Sequence, residues 1–173
     1  MSGNGNHGTV YGATLSKDRH GQENKAYSFD GVDDWIGINN FDWDDRASCT
    51  ISLWTRYSYL PKDLGRTYGM FFGMNGEKHS LFIYGERLYF RQGGQNSFFE
   101  IPPLRKWHNF VLSWDALKRI VSYSTDGVQL AENTDYRENG LGSGTLKFGN
   151  SDIGYSYFFN GSIDDIRIYD RAL

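Results

Sequence analysis

Short stretches of alternating apolar and polar residues, separated by turn residues, recur along almost the whole chain and constrain its fold more than any other feature. Side chains alternate between the two faces of a β-strand, so each stretch predicts a strand with one face turned to a core. Pairs such as Asp30-Gly31 and Asp126-Gly127 lie between the stretches and favour tight turns. The predicted strands are 26–30, 35–38, 49–57, 70–73, 80–84, 88–91, 109–114, 120–124, 146–149 and 162–169.

The composition agrees with an all-β fold. The chain has 173 residues, enough for one domain with one core, and 17% of them are aromatic. Aromatic residues favour strands, and 21 glycines against 3 prolines suit a chain with many tight turns. Helical periodicity is nearly absent, so the sequence predicts a sandwich or barrel with no helix longer than a single turn.

Charge and hydropathy exclude two classes of partner. The net charge is -3, the pI is about 5.8, and no run of Lys or Arg exceeds two residues. We therefore expect no nucleic-acid partner. No apolar stretch approaches the roughly 18 residues of a membrane span, so membrane insertion is not expected.

Strand alternation predicts one outer surface that carries aromatic and arginine side chains. In the strand that begins at Cys49, the apolar set Cys49, Ile51 and Leu53 should face the core, which makes Cys49 a buried, inert thiol. The hairpin around Gly85 shows the same alternation. Side chains of the opposite parity are expected to share one outer surface: Trp54, Arg56, Tyr84, Tyr89 and Arg91.

Such a surface favours a polysaccharide or oligosaccharide ligand. Flat aromatic rings pack beneath the C–H faces of sugars, and planar polar groups bind their hydroxyls. Arginine beside these rings suggests an anionic glycan, because guanidinium groups bind sulfate and carboxylate oxygens in pairs. The alternative is that the rings lie under loops or pack across strands.

Catalytic patterns are weak in this sequence. Glycoside hydrolases of related architecture place two acidic residues a few positions apart on one strand. No two of the six glutamates here are closer than six positions, and the four histidines show no metalloprotease spacing. We therefore expect a domain without catalytic activity. His108, at the start of a strand, is predicted to make a structural hydrogen bond.

Four stretches resemble the laminin-G-like domains of the concanavalin A-like lectin/glucanase families. They are Gly-Asn-Gly-Asn-His-Gly-Thr-Val at 3–10, Ala-Tyr-Ser-Phe-Asp-Gly-Val-Asp-Asp at 26–34, Trp-His-Asn-Phe-Val-Leu-Ser-Trp-Asp at 107–115 and Gly-Ser-Ile-Asp-Asp-Ile-Arg-Ile-Tyr-Asp-Arg-Ala-Leu at 161–173. The resemblance implies a two-sheet antiparallel jelly-roll sandwich over residues 1–173. Such domains usually carry a further short strand before the first stretch, so we expect a domain taken from a longer protein, secreted or on the cell surface.

Aspartates gather at two places that the fold is expected to bring together. Asp30, Asp33 and Asp34 surround one turn, and Asp164 has the parity of Ile166 and Ile168, which would point its carboxylate inward. A buried carboxylate needs a partner, and calcium binds six to eight oxygen ligands. The resemblance implies a structural calcium in about this position, and we expect Asp30, Asp33 and Asp164, ahead of Asp34, to be its ligands. Alternatively, Asp164 accepts backbone N–H bonds or pairs with an arginine.

These features favour a non-catalytic, lectin-like carbohydrate-binding module, which would suit a position beside a glycoside hydrolase domain. Laminin-G-like sandwiches also bind proteins, so an adhesion domain with a protein partner is the second interpretation. A structural spacer within a large surface protein is the third.

Overall fold

The computed structural model describes residues 7–42, 48–74, 79–92, 95–133, 143–151 and 157–173. Fourteen strands lie within these ranges, and the single helical element described there is one 3-10 turn, Pro61–Leu64. Residues 3–6 of the opening motif lie outside the described residues. No helix in the described part of the chain is long and apolar enough to cross a membrane.

Every described strand pairing is antiparallel, and the strands form two sheets of seven. Numbered along the chain and given in spatial order, sheet A contains β1 (Thr9–Tyr11), β4 (Trp35–Asp42), β13 (Ser143–Phe148), β6 (Tyr68–Met74), β7 (His79–Tyr84), β8 (Arg87–Gln92) and β9 (Gln95–Glu100).

Sheet B contains β12 (Val128–Asn133), β11 (Ile120–Thr125), β10 (His108–Asp115), β5 (Cys49–Arg56), β14 (Asn160–Tyr169), β3 (Ala26–Asp30) and β2 (Thr14–Ser16). The last strand, β14, lies inside this sheet between β5 and β3. Its Asn160 faces Asp30 of β3, and its Ser162 faces Arg56 of β5.

The core lies between the two sheets and contains the side chains that alternation assigned to it. The predicted inward residues are all at most 2% exposed: Ile51, Leu53, Leu81, Ile83, Leu88 and Phe90. Cys49 joins this core, and burial raises the pKa of its thiol to about 12. The predicted burial of Cys49 is confirmed, and the raised pKa favours an unreactive thiol.

The predicted architecture is confirmed: the protein is a two-sheet antiparallel sandwich of the jelly-roll type. Each of the ten predicted strands is present, with ends shifted by a few residues at most. Four strands were not predicted: β1, β2, β9 and β12. β1 and β2 have only three residues each, and all four lie at the ends of their sheets.

Candidate functional site

The structure divides the five predicted ligand-binding residues between the two outer faces. Trp54 and Arg56 belong to β5 in sheet B, whereas Tyr84, Tyr89 and Arg91 belong to β7 and β8 in sheet A. The prediction that these five side chains face away from the core is correct, because each alternates with core residues along its strand. The expectation that they share one surface is wrong, because alternation specifies which side of a strand is buried and not which sheet the strand joins.

The outer face of sheet A carries a continuous row of aromatic side chains, here called the aromatic platform: Tyr68, Phe82, Tyr84, Tyr89 and Phe98. Cross-strand pairing brings the rings together. The ring centroids are 4.8 Å apart for Tyr68–Tyr84, 5.2 Å for Phe82–Tyr89 and 5.8 Å for Tyr89–Phe98. Phe82 is buried as the floor, while Tyr84 is 43% exposed and Phe98 is 52% exposed. The platform therefore presents open aromatic surface on four adjacent strands.

Two arginines border the aromatic platform. The Arg87 guanidinium lies 4.5 Å from the Phe98 ring centroid, and that of Arg91 lies 5.2 Å from the Phe82 centroid. The Arg91 Nε also donates to Asn96 Oδ1 at 2.8 Å. These stacking contacts hold both guanidinium groups against the rings.

On sheet B, Trp54 and Arg56 take part in contacts within the protein. The Arg19 guanidinium covers the Trp54 ring at 5.1 Å, and Arg56 lies 5.2 Å from the centroid of Trp107. Arg19 is itself fixed by ion pairs of 2.7 Å to Asp164 and 2.7 Å to Asp165. The Trp54 ring is consequently less available to a flat ligand than the Tyr84 ring, which is 43% exposed.

The predicted orientation of Asp164 is wrong because β14 contains a β-bulge. The pairing register with β5 shifts after Asp164, and Asp165 has a φ of 49°. The extra residue reverses the alternation. Ile166 and Ile168 therefore pack against the core, whereas Asp164 lies opposite Trp54 on the outer face.

The structure adopts the alternative in which Asp164 pairs with an arginine. Its side chain is 6% exposed, and its Oδ2 accepts a hydrogen bond from Arg19 at 2.7 Å. Asp164 lies four residues along β14 from Asn160, the partner of Asp30, which corresponds to about 13 Å. The structure does not bring Asp164 to the Asp30 turn.

The other three predicted metal ligands do lie together. Carboxylate oxygens of Asp30, Asp33 and Asp34 are all within 4.8 Å of one another. Asp30 Oδ1 accepts the Val32 N–H at 2.6 Å, and Asp34 Oδ2 accepts the Asp30 N–H at 2.8 Å, so the turn orients the cluster. Three carboxylates supply the hard oxygen ligands that calcium prefers, and backbone carbonyls or water would have to complete the six to eight. This donor set fits calcium.

Asp34 is the buried member of the cluster, 6% exposed. Burial raises the pKa of its carboxyl, and the charges of Asp30 and Asp33 raise it further. The β1–β2 connection covers it: a Cβ on Gly12 would lie 2.1 Å from Asp34 Oδ1. A carboxylate in this position is costly to ionise without a cation.

A narrow cleft opens at the end of the sandwich beside the 3-10 turn; we call it the end cleft. Its polar and aromatic lining includes Tyr57, Tyr59, Arg66, Tyr68 and Asn160. Tyr68 thus belongs to both the cleft and the aromatic platform. The Asn160 Nδ2 donates to the Asp30 carbonyl at 2.7 Å, so the cleft also adjoins the aspartate turn.

Three residues of these surfaces were not predicted from the sequence: Tyr68, Phe98 and Arg66. Extending the 70–73 alternation by two residues would have found Tyr68. The alternation of Asn96, Phe98 and Glu100 against their neighbours would have found β9. No local pattern marks Arg66, because its surroundings come from distant segments.

The predicted structural role of His108 is confirmed. Its Nδ1 lies 2.7 Å from Asp126 Oδ2, and its Nε2 lies 2.8 Å from the Pro103 carbonyl oxygen. Asp126 begins the β11–β12 turn and also accepts the Asn109 N–H at 2.8 Å. His108 therefore connects this turn to the segment before β10.

The architecture is that of a jelly-roll domain, and the sequence match agrees. The chain belongs to the laminin G family described as the Concanavalin A-like lectin/glucanases superfamily, whose model matches residues 30–173. No curated protein matches the sequence significantly.

Solved structures share the fold at low sequence identity. The binding domain of Paraclostridial Mosquitocidal Protein 1 has a TM-score of 0.75 and 17% identity, over 100% of this chain and 46% of that one. A mutant Trypanosoma rangeli sialidase displaying trans-sialidase activity has a TM-score of 0.72 and 17% identity, over 96% of this chain and 27% of that one. A heptameric SAP-like pentraxin from Limulus polyphemus has a TM-score of 0.63 and 15% identity, over 84% of this chain and 76% of that one. The chain therefore spans less than half of the Paraclostridial and sialidase chains.

Proposed function

We propose that the protein is a non-catalytic carbohydrate-binding module whose ligand lies on the aromatic platform. The observation that carries this proposal is the open row of rings on β6 to β9, with Tyr84 and Phe98 each about half exposed. Exposed apolar patches of this kind mark interaction sites in soluble domains. Sugar rings offer C–H faces to aromatic surfaces, and arginines at the border supply donors for hydroxyl oxygens.

The sheet A face suits a glycan better than the sheet B face. The Trp54 ring is covered by Arg19, so a sugar there would have to displace a cation held by two ion pairs. On sheet A, Arg87 stacks on Phe98 and Arg91 on Phe82, while Tyr84 remains 43% exposed. We therefore keep Tyr84, Tyr89 and Arg91 in the proposed site and assign Trp54 and Arg56 to the scaffold.

Calcium is proposed as a structural ion at the Asp30 turn, with Asp30, Asp33 and Asp34 as ligands. The support is the convergence of three carboxylates, one of them buried. A calcium ion would neutralise their repulsion and fix the turn beside the end cleft. Asp164 is left out of the ligand set because Arg19 already neutralises it.

The similar folds support a binding role within a larger protein. One of them is the binding domain of a mosquitocidal protein, and this chain corresponds to less than half of that structure. We propose that the domain serves a longer secreted or cell-surface protein by attaching it to glycans. An adhesion domain that binds a protein through the same platform is the competing function.

The test is a glycan array followed by calorimetric titration of the strongest ligand against Tyr84→Ala and Phe98→Ala. Loss of a ring that stacks on the ligand should weaken binding by more than about fivefold. Tyr169→Ala removes the same atoms from the opposite face and should bind as the wild type does. Unchanged affinity in both folded platform variants would remove the platform from the site. A silent array together with capture of a protein partner would favour adhesion.

A further inference from the structure

A groove with a volume of about 610 Å³ opens between the β7–β8 turn and the segment that follows β9; we call it the side groove. A space of this volume can admit a small ligand or one unit of a longer one. The apolar part of its lining is Leu60, Phe99, Ile101, Pro102, Pro103 and Leu104. Leu60, Phe99 and Ile101 also pack against the core, so the floor of the groove is anchored to the sandwich.

The segment after β9, which forms one wall of the side groove, is held by three contacts. The Tyr57 hydroxyl donates to the Pro102 carbonyl at 3.2 Å, and the His108 Nε2 lies 2.8 Å from the Pro103 carbonyl oxygen. The Arg105 N–H donates to the Tyr57 carbonyl at 2.8 Å. The groove is therefore formed by the fold itself and does not have to be opened by a ligand.

Charged side chains border the side groove, and their charges balance. Arg87 lies opposite Glu100 in the pairing of β8 with β9, and Lys62 forms an ion pair with Glu86. A rim with two positive and two negative groups has no net charge that would attract an ion. Its carboxylates can still accept hydrogen bonds, and its guanidinium group can donate them. The groove therefore suits a neutral ligand with a donor, an acceptor and an apolar group, rather than the anionic glycan that the sequence suggested.

The side groove continues the aromatic platform. Arg87 lines the groove and also stacks on Phe98 of the platform, with its guanidinium 4.5 Å from the ring centroid. Glu100, at the groove, is two residues from Phe98 along β9, so both side chains lie on the outer face of sheet A. A glycan that lies across Phe98 can therefore place its next sugar unit in the groove.

We propose that the side groove binds the acetamido group of an N-acetylated sugar within the glycan that lies on the aromatic platform. This inference rests on the proposed function, because it specifies the class of sugar bound at the same site. An acetamido group carries a methyl, one N–H and one C=O. The methyl lies against Ile101 and Leu104, the N–H donates to Glu100, and the C=O accepts from Arg87. A hydroxyl in the same place would lose its hydration against the apolar floor without gaining such a contact.

The position of the ligand is tested by NMR with two soluble hexasaccharides. The hexamers of N-acetylglucosamine and of glucose share the β-1,4 linkage and differ only in the acetamido or hydroxyl group at C2. The methyl resonances of Ile101 and Leu104 should shift with saturation as the N-acetylglucosamine hexamer is added. Those of Leu117, an exposed leucine in the β10–β11 turn, are the control and should not move. Unmoved Leu104 methyls, or equal shifts at Leu117, would overturn the inference.

The specificity is tested by calorimetric titration of both hexamers. The wild type should bind the N-acetylglucosamine hexamer at least about fourfold more tightly, the gain expected from burying one methyl group. Leu104→Gln removes apolar contact and should abolish this preference without changing the affinity for the glucose hexamer. Its melting temperature should remain that of the wild type, because Leu104 is 36% exposed. Leu117→Gln is the matched control and should keep the preference.

The remaining outcomes separate this inference from the proposed function. Equal affinity of the wild type for the two hexamers, or a preference that survives in Leu104→Gln, would overturn the acetamido subsite; weaker binding in Tyr84→Ala would then leave the proposed function standing. Unchanged binding of both hexamers in Tyr84→Ala and Phe98→Ala would overturn the platform function and with it the subsite. Two silent hexamers, together with a protein partner whose binding is lost in Leu104→Gln, would overturn the inference and assign the groove to adhesion. Two silent hexamers without such a partner would overturn it as well, and the glycan array would then decide the proposed function.

Discussion

Replacement of Asp34 by asparagine should stabilise the protein when calcium is removed and destabilise it, relative to the wild type, when calcium is present. Asp34 is the buried carboxylate of the cluster, and one of its oxygens lies within 4.8 Å of one oxygen each of Asp30 and Asp33. In chelator, these like charges oppose folding. The asparagine side chain would keep an oxygen for the Asp30 N–H bond and remove the charge. With calcium, the same substitution removes a ligand.

The size of both effects can be worked from this geometry. Two unit charges 4.8 Å apart repel by about 0.9 kcal/mol even at the dielectric constant of water. Asp34 makes two such pairs, so Asp34→Asn should add about 1 to 2 kcal/mol in chelator, or about 2 to 8 °C in melting temperature for a domain of this size. Calcium at 100 times its dissociation constant should stabilise the wild type by about 2.7 kcal/mol. The variant should lose most of that gain.

The pH dependence gives an independent check. Burial raises the pKa of Asp34 in the folded protein above its ordinary value of 3.8. The neutral form is therefore favoured by folding, and its stabilising contribution is fully present below about pH 4 and lost as pH rises through the raised pKa. In chelator, the advantage of Asp34→Asn over the wild type should be present at pH 7 and absent below pH 4.

Differential scanning calorimetry of the wild type and Asp34→Asn, with calcium and with chelator, measures the gain in chelator and the loss with calcium. Repeating the chelator scans at pH 7 and below pH 4 measures the pH dependence. Asp170→Asn, an exposed aspartate near the other end of the chain, is the control and should respond to calcium as the wild type does. The reasoning is refuted if Asp34→Asn melts below the wild type in chelator at pH 7. An identical melting temperature of the wild type with and without calcium would remove the metal site.

Two further predictions concern the scaffold. Arg19→Met should lower the free energy of unfolding by about 2 to 3 kcal/mol in urea, because it leaves the buried Asp164 carboxylate unpaired, while the calcium response should remain; wild-type stability would show that this ion pair contributes nothing. The Cys49 thiol should not react with a thiol reagent at pH 8 in the folded state and should react fully in urea, since burial raises its pKa to about 12; rapid labelling of the native protein would contradict this.

Alternation along a single strand was enough to predict which face of that strand is buried in the sandwich. Ile51 and Leu53 face the core because their polar neighbours must face water, and that requirement is local. The edge strands β1 and β2 were not predicted because the same local signal is weak in them. β1 and β2 have three residues each, nearly all of them exposed, so they carry little alternation.

Properties that depend on distant contacts could not be predicted in the same way. The assignment of β5 and β7 to different sheets is decided by the chain's path, which alternation does not encode. The bulge at Asp165 inserts one residue and reverses the face of Asp164. Its local sign is that Ile163 has the opposite parity to Ile166 and Ile168 although all three meet the core, and a prediction from Ile166 and Ile168 alone missed it.

The central position of β14 affects how the chain folds. Asn160 pairs with Asp30 across 130 residues of chain, and both edges of β14 are hydrogen-bonded. Until the ribosome has delivered residue 169, β5 and β3 lack their shared partner and expose unpaired backbone edges to other nascent chains. Contacts so distant in sequence also make for slow folding. We therefore expect the interval between synthesis and insertion of this one strand to be the time at which the protein is most prone to aggregate and most dependent on chaperones.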